Sequence, residues 1–242
     1  MKNLLSAEFY KLKNIPIFRK IFVVTLVMAL ATSVFGVGYG ADNAYAQVKS
    51  VLKPNPWFYI LYITMASSYI STDLHEKTVT DLIYSGYSRL KIVISKFIVL
   101  HSAFFVSYFL YMFITFIIMT VFTGTGFTPE NNMLDLLYFF INSFIILLGS
   151  VMIYFMLAFV MESPAHVSIF SILLYVLHGS FMVVLVLLFP PFEYIVKFSA
   201  EFLSQSLLDS LSFNVWVSVL KTLLAVAVHF YIPFSAFKKE DL

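Results

Sequence analysis

Side chains able to do chemistry are few in this 242-residue chain, and they are scattered. His75, His101, His166, His178 and His229 fall on different stretches, never at metal-ligand spacing, and there is no His-Glu-x-x-His arrangement. The chain has no cysteine, hence no disulfide framework and no thiolate chemistry. It also lacks a Gly-rich loop closing on Lys-Ser/Thr, so any ATP-driven work must come from another polypeptide. Gly149-Ser150 and Gly179-Ser180 lie within apolar runs and lack the Gly-x-Ser-x-Gly frame of a nucleophile elbow. No enzymatic activity, cofactor or metal is expected of this chain itself.

Two polar features inside apolar segments stand out. Lys221 lies several residues into the last apolar run, where an ammonium must be paired, solvated or snorkelled outward. It either snorkels or meets an acidic substrate group in a polar cavity. Ser67 and Ser68, with Thr64 and Ser71, lie along the second apolar run. Small hydroxyl residues bond their own i−4 carbonyls and let helices approach closely, and a substrate path is the alternative use.

Charge is concentrated at 72–96, where Asp73, Glu76, Lys77, Asp81, Arg89, Lys91 and Lys96 interrupt the apolar sequence. Val79, Leu82 and Ile83 recur at helical spacing while Glu76, Thr80 and Tyr84 take another face, which predicts a short amphipathic helix over 74–86 ending at Gly86. Such a helix either docks a soluble partner or rests at the lipid interface.

The elements that carry these residues are set by composition. Hydrophobic residues make up 61% and charged residues 12%, against roughly 45–50% and 25% in soluble domains. No water-soluble interior is large enough for that, so lipid is the expected solvent. A net charge of +2, with no basic groove, argues against a nucleic-acid partner. An all-α membrane protein of six transmembrane helices is expected, as a single domain over 1–242. Its crossings are predicted at 21–38, 57–71, 97–122, 136–160, 167–188 and 215–237. An interfacial amphipathic helix is predicted at 2–15, with Glu8, Phe9, Lys11 and Lys13 among its residues and Pro16 closing it. Amphipathic helices at 192–212 would lie in the outer leaflet. Basic residues before Ile21 and the small residues Ala44-Tyr45-Ala46 imitate a cleaved signal. The first run is of spanning length and more follow, so it is read as a retained helix.

Orientation follows from the basic residues. Lys2, Lys11, Lys13, Arg19, Lys20, Lys77, Arg89, Lys91, Lys96, Lys238 and Lys239 share one side in this topology, against Lys49, Lys53 and Lys197 on the other, so both termini are expected in the cytoplasm.

The order of motifs is also familiar. Leu5-Ser6-Ala7-Glu8-Phe9-Tyr10-Lys11-Leu12-Lys13, the segment from Glu76 through Ser88-Arg89 followed by Lys96, and the tail Phe237-Lys238-Lys239-Glu240-Asp241-Leu242 resemble the membrane permease subunits of type-2 ABC (ABC-2) exporters. In that family an acidic residue and Gly-Thr open a short cytoplasmic coupling helix, and a Pro-x-Ser-Arg turn follows. Here Lys77 stands where Gly is usual, and Gly86 stands where Pro is usual, suggesting a looser exit.

The resemblance implies that Glu76, Thr78, Val79, Asp81, Leu82, Ile83, Gly86, Ser88 and Arg89 contact an ATPase subunit. It implies two such subunits, binding ATP and magnesium, and a second identical or homologous permease subunit in a bacterial cytoplasmic membrane. Permeases of this size resemble those exporting amphipathic or antimicrobial peptides or giving lantibiotic immunity, the exporters of staphylococcal phenol-soluble modulins among them. Drugs, ions or lipid-like substrates, or a non-transporting sensor or scaffold role, are the alternatives.

Overall fold

The computed structural model describes residues 1–188 except Pro54, Glu130, Asn131 and Glu162, and beyond them only Leu223 and Ala227. Among these residues every regular element is helical. Helix α1 spans Lys2–Asn14, α2 Pro16–Gly38, α3 Ala44–Val51 and α4 Pro56–Ala66. A π-helical turn, Ser67–Ser71, follows, then α5 Thr72–His75, α6 Thr78–Tyr84, α7 Arg89–Thr123, α8 Met133–Val160 and α9 Pro164–Leu188.

The expectation of six crossings is not met. Among the described residues three helices are long and apolar enough to cross a membrane: α2, α7 and α8, of 23, 35 and 28 residues. The expected crossing at 57–71 is not one apolar α-helix. Helix α4 stops after 11 residues at Ala66, the π turn takes over, and α5 adds four residues ending in Asp73, Leu74 and His75. At this junction the Ser67 and Ser68 hydroxyls both donate to the Thr64 carbonyl, in competition with the main-chain ladder. Helix α9, Pro164–Leu188, takes in the expected fifth run at 167–188. The predicted segments at 192–212 and, apart from Leu223 and Ala227, 215–237, with Lys221, lie outside the described residues.

Helix α1 ends because Ile15 is extended (φ −69°, ψ 120°), the conformation a residue before proline prefers, and Pro16 then takes the first position of α2. Thr25, Ala29, Ser33 and Gly36 recur every three or four residues on α2 and are all buried. This stripe of small residues lets α7 lie close against it. Helix α7 is about 53 Å long at 1.5 Å per residue, far more than a hydrocarbon core of about 30 Å, so its charged first turns extend past the apolar layer.

Aromatic side chains fasten α4, α7 and α8. Phe58 meets Tyr108 and Tyr111 edge-on at 4.7 and 5.2 Å, and Tyr108 stacks on Phe140 at 5.2 Å. Each such pair contributes about 0.5–1.5 kcal/mol beyond its burial. Buried His101 bonds the Phe97 carbonyl through Nδ1 at 2.7 Å, so in the neutral ring Nε2 is the acceptor for the Tyr62 hydroxyl at 3.0 Å. The polar group is thereby satisfied within the bundle.

Residues 41–56, the polar interval between the first two predicted crossings, contain α3. Its Asn43 cap accepts from the Ala46 amide at 2.9 Å, and Tyr45 and Val48 are buried beneath it. At that end of the bundle the Tyr45 hydroxyl donates to Asp135, and Lys49 lies 5.1 Å from the Tyr45 and Phe139 ring centroids. Burial first, and then the Asp135 hydrogen bond and charge, hold the Tyr45 hydroxyl above its ordinary pKa, so it remains a donor. Gly126 adopts φ +72°, and a Cβ there would fall on the Asn43 side chain. Gly126→Ala is therefore expected to strain the backbone and displace the α3 cap together, costing about 2 kcal/mol in thermal unfolding.

Candidate coupling site

Helix α1 carries Leu4, Glu8 and Leu12 one turn apart, and all three are buried. An acid in the middle of an apolar stripe needs partners, and two other elements supply them. Tyr69, on the π turn, donates to Glu8 Oε2 at 2.5 Å. Lys96, two turns into α7 and 0% exposed, has its Nζ 3.3 Å from Glu8 Oε1 and 4.7 Å from the Tyr69 ring centroid. The same ammonium pairs with the carboxylate of Asp73 on α5, whose other oxygen takes Lys11 of α1. Asp73 is buried as well, while Lys11 is half-buried.

Two acids and two lysines give a formally neutral cluster in which every charged atom has an opposite partner, the condition under which buried ions are tolerated. Asp73 extends the network one step further. Its main-chain carbonyl accepts from the Thr78 hydroxyl at 3.2 Å, and Thr78 is the first residue of α6. Helices α1, α6 and α7 are thus joined through one buried aspartate, and the π turn joins them through Tyr69 and Glu8.

The short helix α6 begins and ends sharply. Lys77, just before it, is left-handed at φ 59°. A side chain there costs about 1–2 kcal/mol and glycine avoids that cost, which gives a physical reason for the family's Gly at this place. Lys77→Gly is expected to stabilise the fold by about 0.5–1 kcal/mol, after subtracting glycine's greater freedom in the unfolded chain. A rise in the thermal midpoint of detergent-solubilised protein checks this.

At the other end the Gly86 amide bonds the Ile83 carbonyl at 2.9 Å and the Tyr87 amide bonds that of Leu82 at 3.1 Å, with Gly86 at φ +87°. This is a Schellman closure, so the exit that the missing proline suggested would be loose is hydrogen-bonded shut.

The face of α6 assigned from sequence to a partner divides in two. Val79 is 2% exposed and belongs to the core, and Leu82 and Ile83 are half-buried against it. The face turned outward carries Asp81, Ser85 and Tyr84, which is 80% exposed, with Glu76 and Lys77 beside it. Ser88 is exposed and precedes α7, and its carbonyl accepts from the Ile92 amide at 3.2 Å. Thr78 and Arg89 are half-buried.

Of the interfacial residues, Glu8 and Lys11 enter the cluster, while Phe9 and Lys13 are exposed. Ser67 is buried, accepting from Ser168 of α9 at 3.0 Å, and Ser68 is half-buried. Asp73 and Tyr69 were absent from the expected site, and Lys96 entered as a basic charge of the 72–96 interval and as the last residue of the family-like motif, not as a buried partner of Glu8. The available signal was Glu8, an acid spaced four residues from Leu4 and from Leu12.

Residues 4–179 match the profile of a family described as ABC-2 family transporter protein. That is well over half of the chain and includes α1 and everything through the coupling region. The chain belongs to the ABC-2 transporter family. No curated protein gave a significant match. ABC-2 chains are the non-catalytic membrane component of transport complexes and pair with ATPase subunits. With three long apolar helices among the described residues, this ABC-2 chain is a multi-pass membrane protein.

Proposed function

We propose that this ABC-2 chain is the permease subunit of an ATP-driven exporter in a bacterial plasma membrane, with α1 and α6 on the cytoplasmic side. Two copies, or one copy and a related chain, would pair and receive two ATPase subunits, which bind ATP and magnesium. The observation that carries this reading is Asp73, bonded at once to Lys11, Lys96 and the start of α6. A push on the outward face of α6 then moves α1 and α7 with it, because the buried cluster resists being pulled apart. The contact surface is Glu76, Asp81, Tyr84, Ser85 and Ser88, while Val79, Leu82 and Ile83 act from beneath by holding α6 in place.

The exported substrate in this reading is an amphipathic or antimicrobial peptide. The aromatic-rich, sparsely charged bundle supports this, since aromatic faces accept both aliphatic side chains and cations. Ser67, Ser68 and Lys221 are the residues proposed for its path.

In proteoliposomes containing the permease and its ATPase subunit, a cationic amphipathic helical peptide is expected to raise ATP hydrolysis several-fold. Stimulation by sodium or by a small hydrophobic drug, with none by peptide, would replace this substrate class. Lys221→Ala is expected to reduce peptide transport per folded molecule. Unchanged transport would remove Lys221 from the path.

A further inference from the structure

An open groove of about 220 Å³ runs between α2 and α4. Its walls are hydrocarbon and aromatic, from Ile21, Val24 and Met28 on one side to Trp57, Phe58 and Leu61 on the other. The hydroxyls that reach it are already committed within the protein. Thr25 donates to Ile21 O at 2.9 Å, Thr64 to Ile60 O at 2.8 Å, and Tyr111 to Thr32 Oγ1 at 3.1 Å. The walls therefore ask nothing of an occupant except apolar surface.

The exception is Lys20, whose side chain also borders the groove and which makes no ion pair among the described residues. It is exposed and lies in the first turns of α2, on the side of the bundle that carries α1. Its methylene stem lies along apolar surface while its ammonium stays at the boundary. The complement of this arrangement is one long hydrocarbon chain ending in a single negative charge.

We propose that the α2–α4 groove is a binding site for an anionic phospholipid of the leaflet on the α1 side. One acyl chain lies between Val24 and Leu61, and the headgroup phosphate pairs with Lys20. From Lys20 to Met28 the groove follows α2 for about 12 Å. Zwitterionic lipid fills the same walls but gains less from Lys20, because its own ammonium offsets the phosphate. One lysine near an anionic headgroup corresponds to about a fivefold preference.

Trp57 reports on the site, since it lines the groove and Trp216 is the other tryptophan of the chain. In Trp216→Phe protein reconstituted in nanodiscs, brominated-chain phosphatidylglycerol is expected to quench Trp57 at about one-fifth the mole fraction needed for brominated phosphatidylcholine. Lys20→Gln, at an exposed position, should abolish that difference while leaving quenching by phosphatidylcholine unchanged. Val24→Phe, which fills the groove, should weaken quenching by both lipids. Equal quenching by the two lipids in the unaltered protein, or a preference that survives Lys20→Gln, overturns the proposal. So does relief of quenching by an amphipathic helical peptide without regard to headgroup, which assigns the groove to peptide.

Discussion

Lys96→Met is expected to cost the fold about 3–5 kcal/mol and to leave little folded protein in detergent. The loss comes less from the missing lysine than from what remains. Glu8 and Asp73 would face each other in the interior with one partially exposed cation, Lys11, to neutralise both. The same reasoning predicts rescue. Lys96→Met combined with Glu8→Gln and Asp73→Asn removes the buried charges together and should restore most of the lost stability, because a neutral interior avoids the desolvation of ions. Fluorescence-detected gel filtration after a heat step checks both. If the single variant is as stable as the parent, the cluster does not hold α1 to α7. If the triple variant folds but no longer couples ATP hydrolysis to transport, the cluster transmits motion as well as holding the fold.

Tyr84→Asp is expected to weaken binding of the ATPase subunit about thirtyfold, equivalent to about 2 kcal/mol, without lowering the thermal midpoint. Tyr84 is 80% exposed on a helix closed by a firm C-terminal motif, so its ring contributes little to this chain's own packing. Exposed tyrosines at the centre of a small docking surface are the residues whose loss costs most. Val79→Asp should also lose the ATPase subunit, but by another route: it places a carboxylate at a position 2% exposed and should lower the thermal midpoint. The pair of variants separates a contact residue from a supporting one.

The long helices were legible in the sequence because their apolar runs are continuous, and α2, α7 and α8 cover the first, third and fourth predicted runs. The second run was not legible as built. The Ser67–Ser71 turn differs from α-helix by one extra residue per hydrogen-bonded ring, and hydropathy does not register that difference. Helix α3 was hidden because eight residues flanked by Asn43 and Pro54 look like loop until Asn43 is seen capping them. The position of the coupling helix was readable from its periodicity, but not which apolar residues face inward. That depends on what packs above α6, and periodicity gives two faces without saying which is covered. The charge cluster was the least accessible. Lys96 is 88 residues from Glu8 and 23 from Asp73, and each looks like an ordinary boundary charge on its own.

The most direct measurement is photo-crosslinking from position 84 in intact cells that co-express the ATPase subunit. A photoreactive phenylalanine analogue replaces Tyr84, with a second analogue at Val79 for comparison. A crosslink to the ATPase subunit from position 84, and none from position 79, is the result expected if α6 receives the motor on its outward face. Labelling of position 84 by a membrane-impermeant reagent added outside the cell, or a crosslink only to lipid, would contradict it.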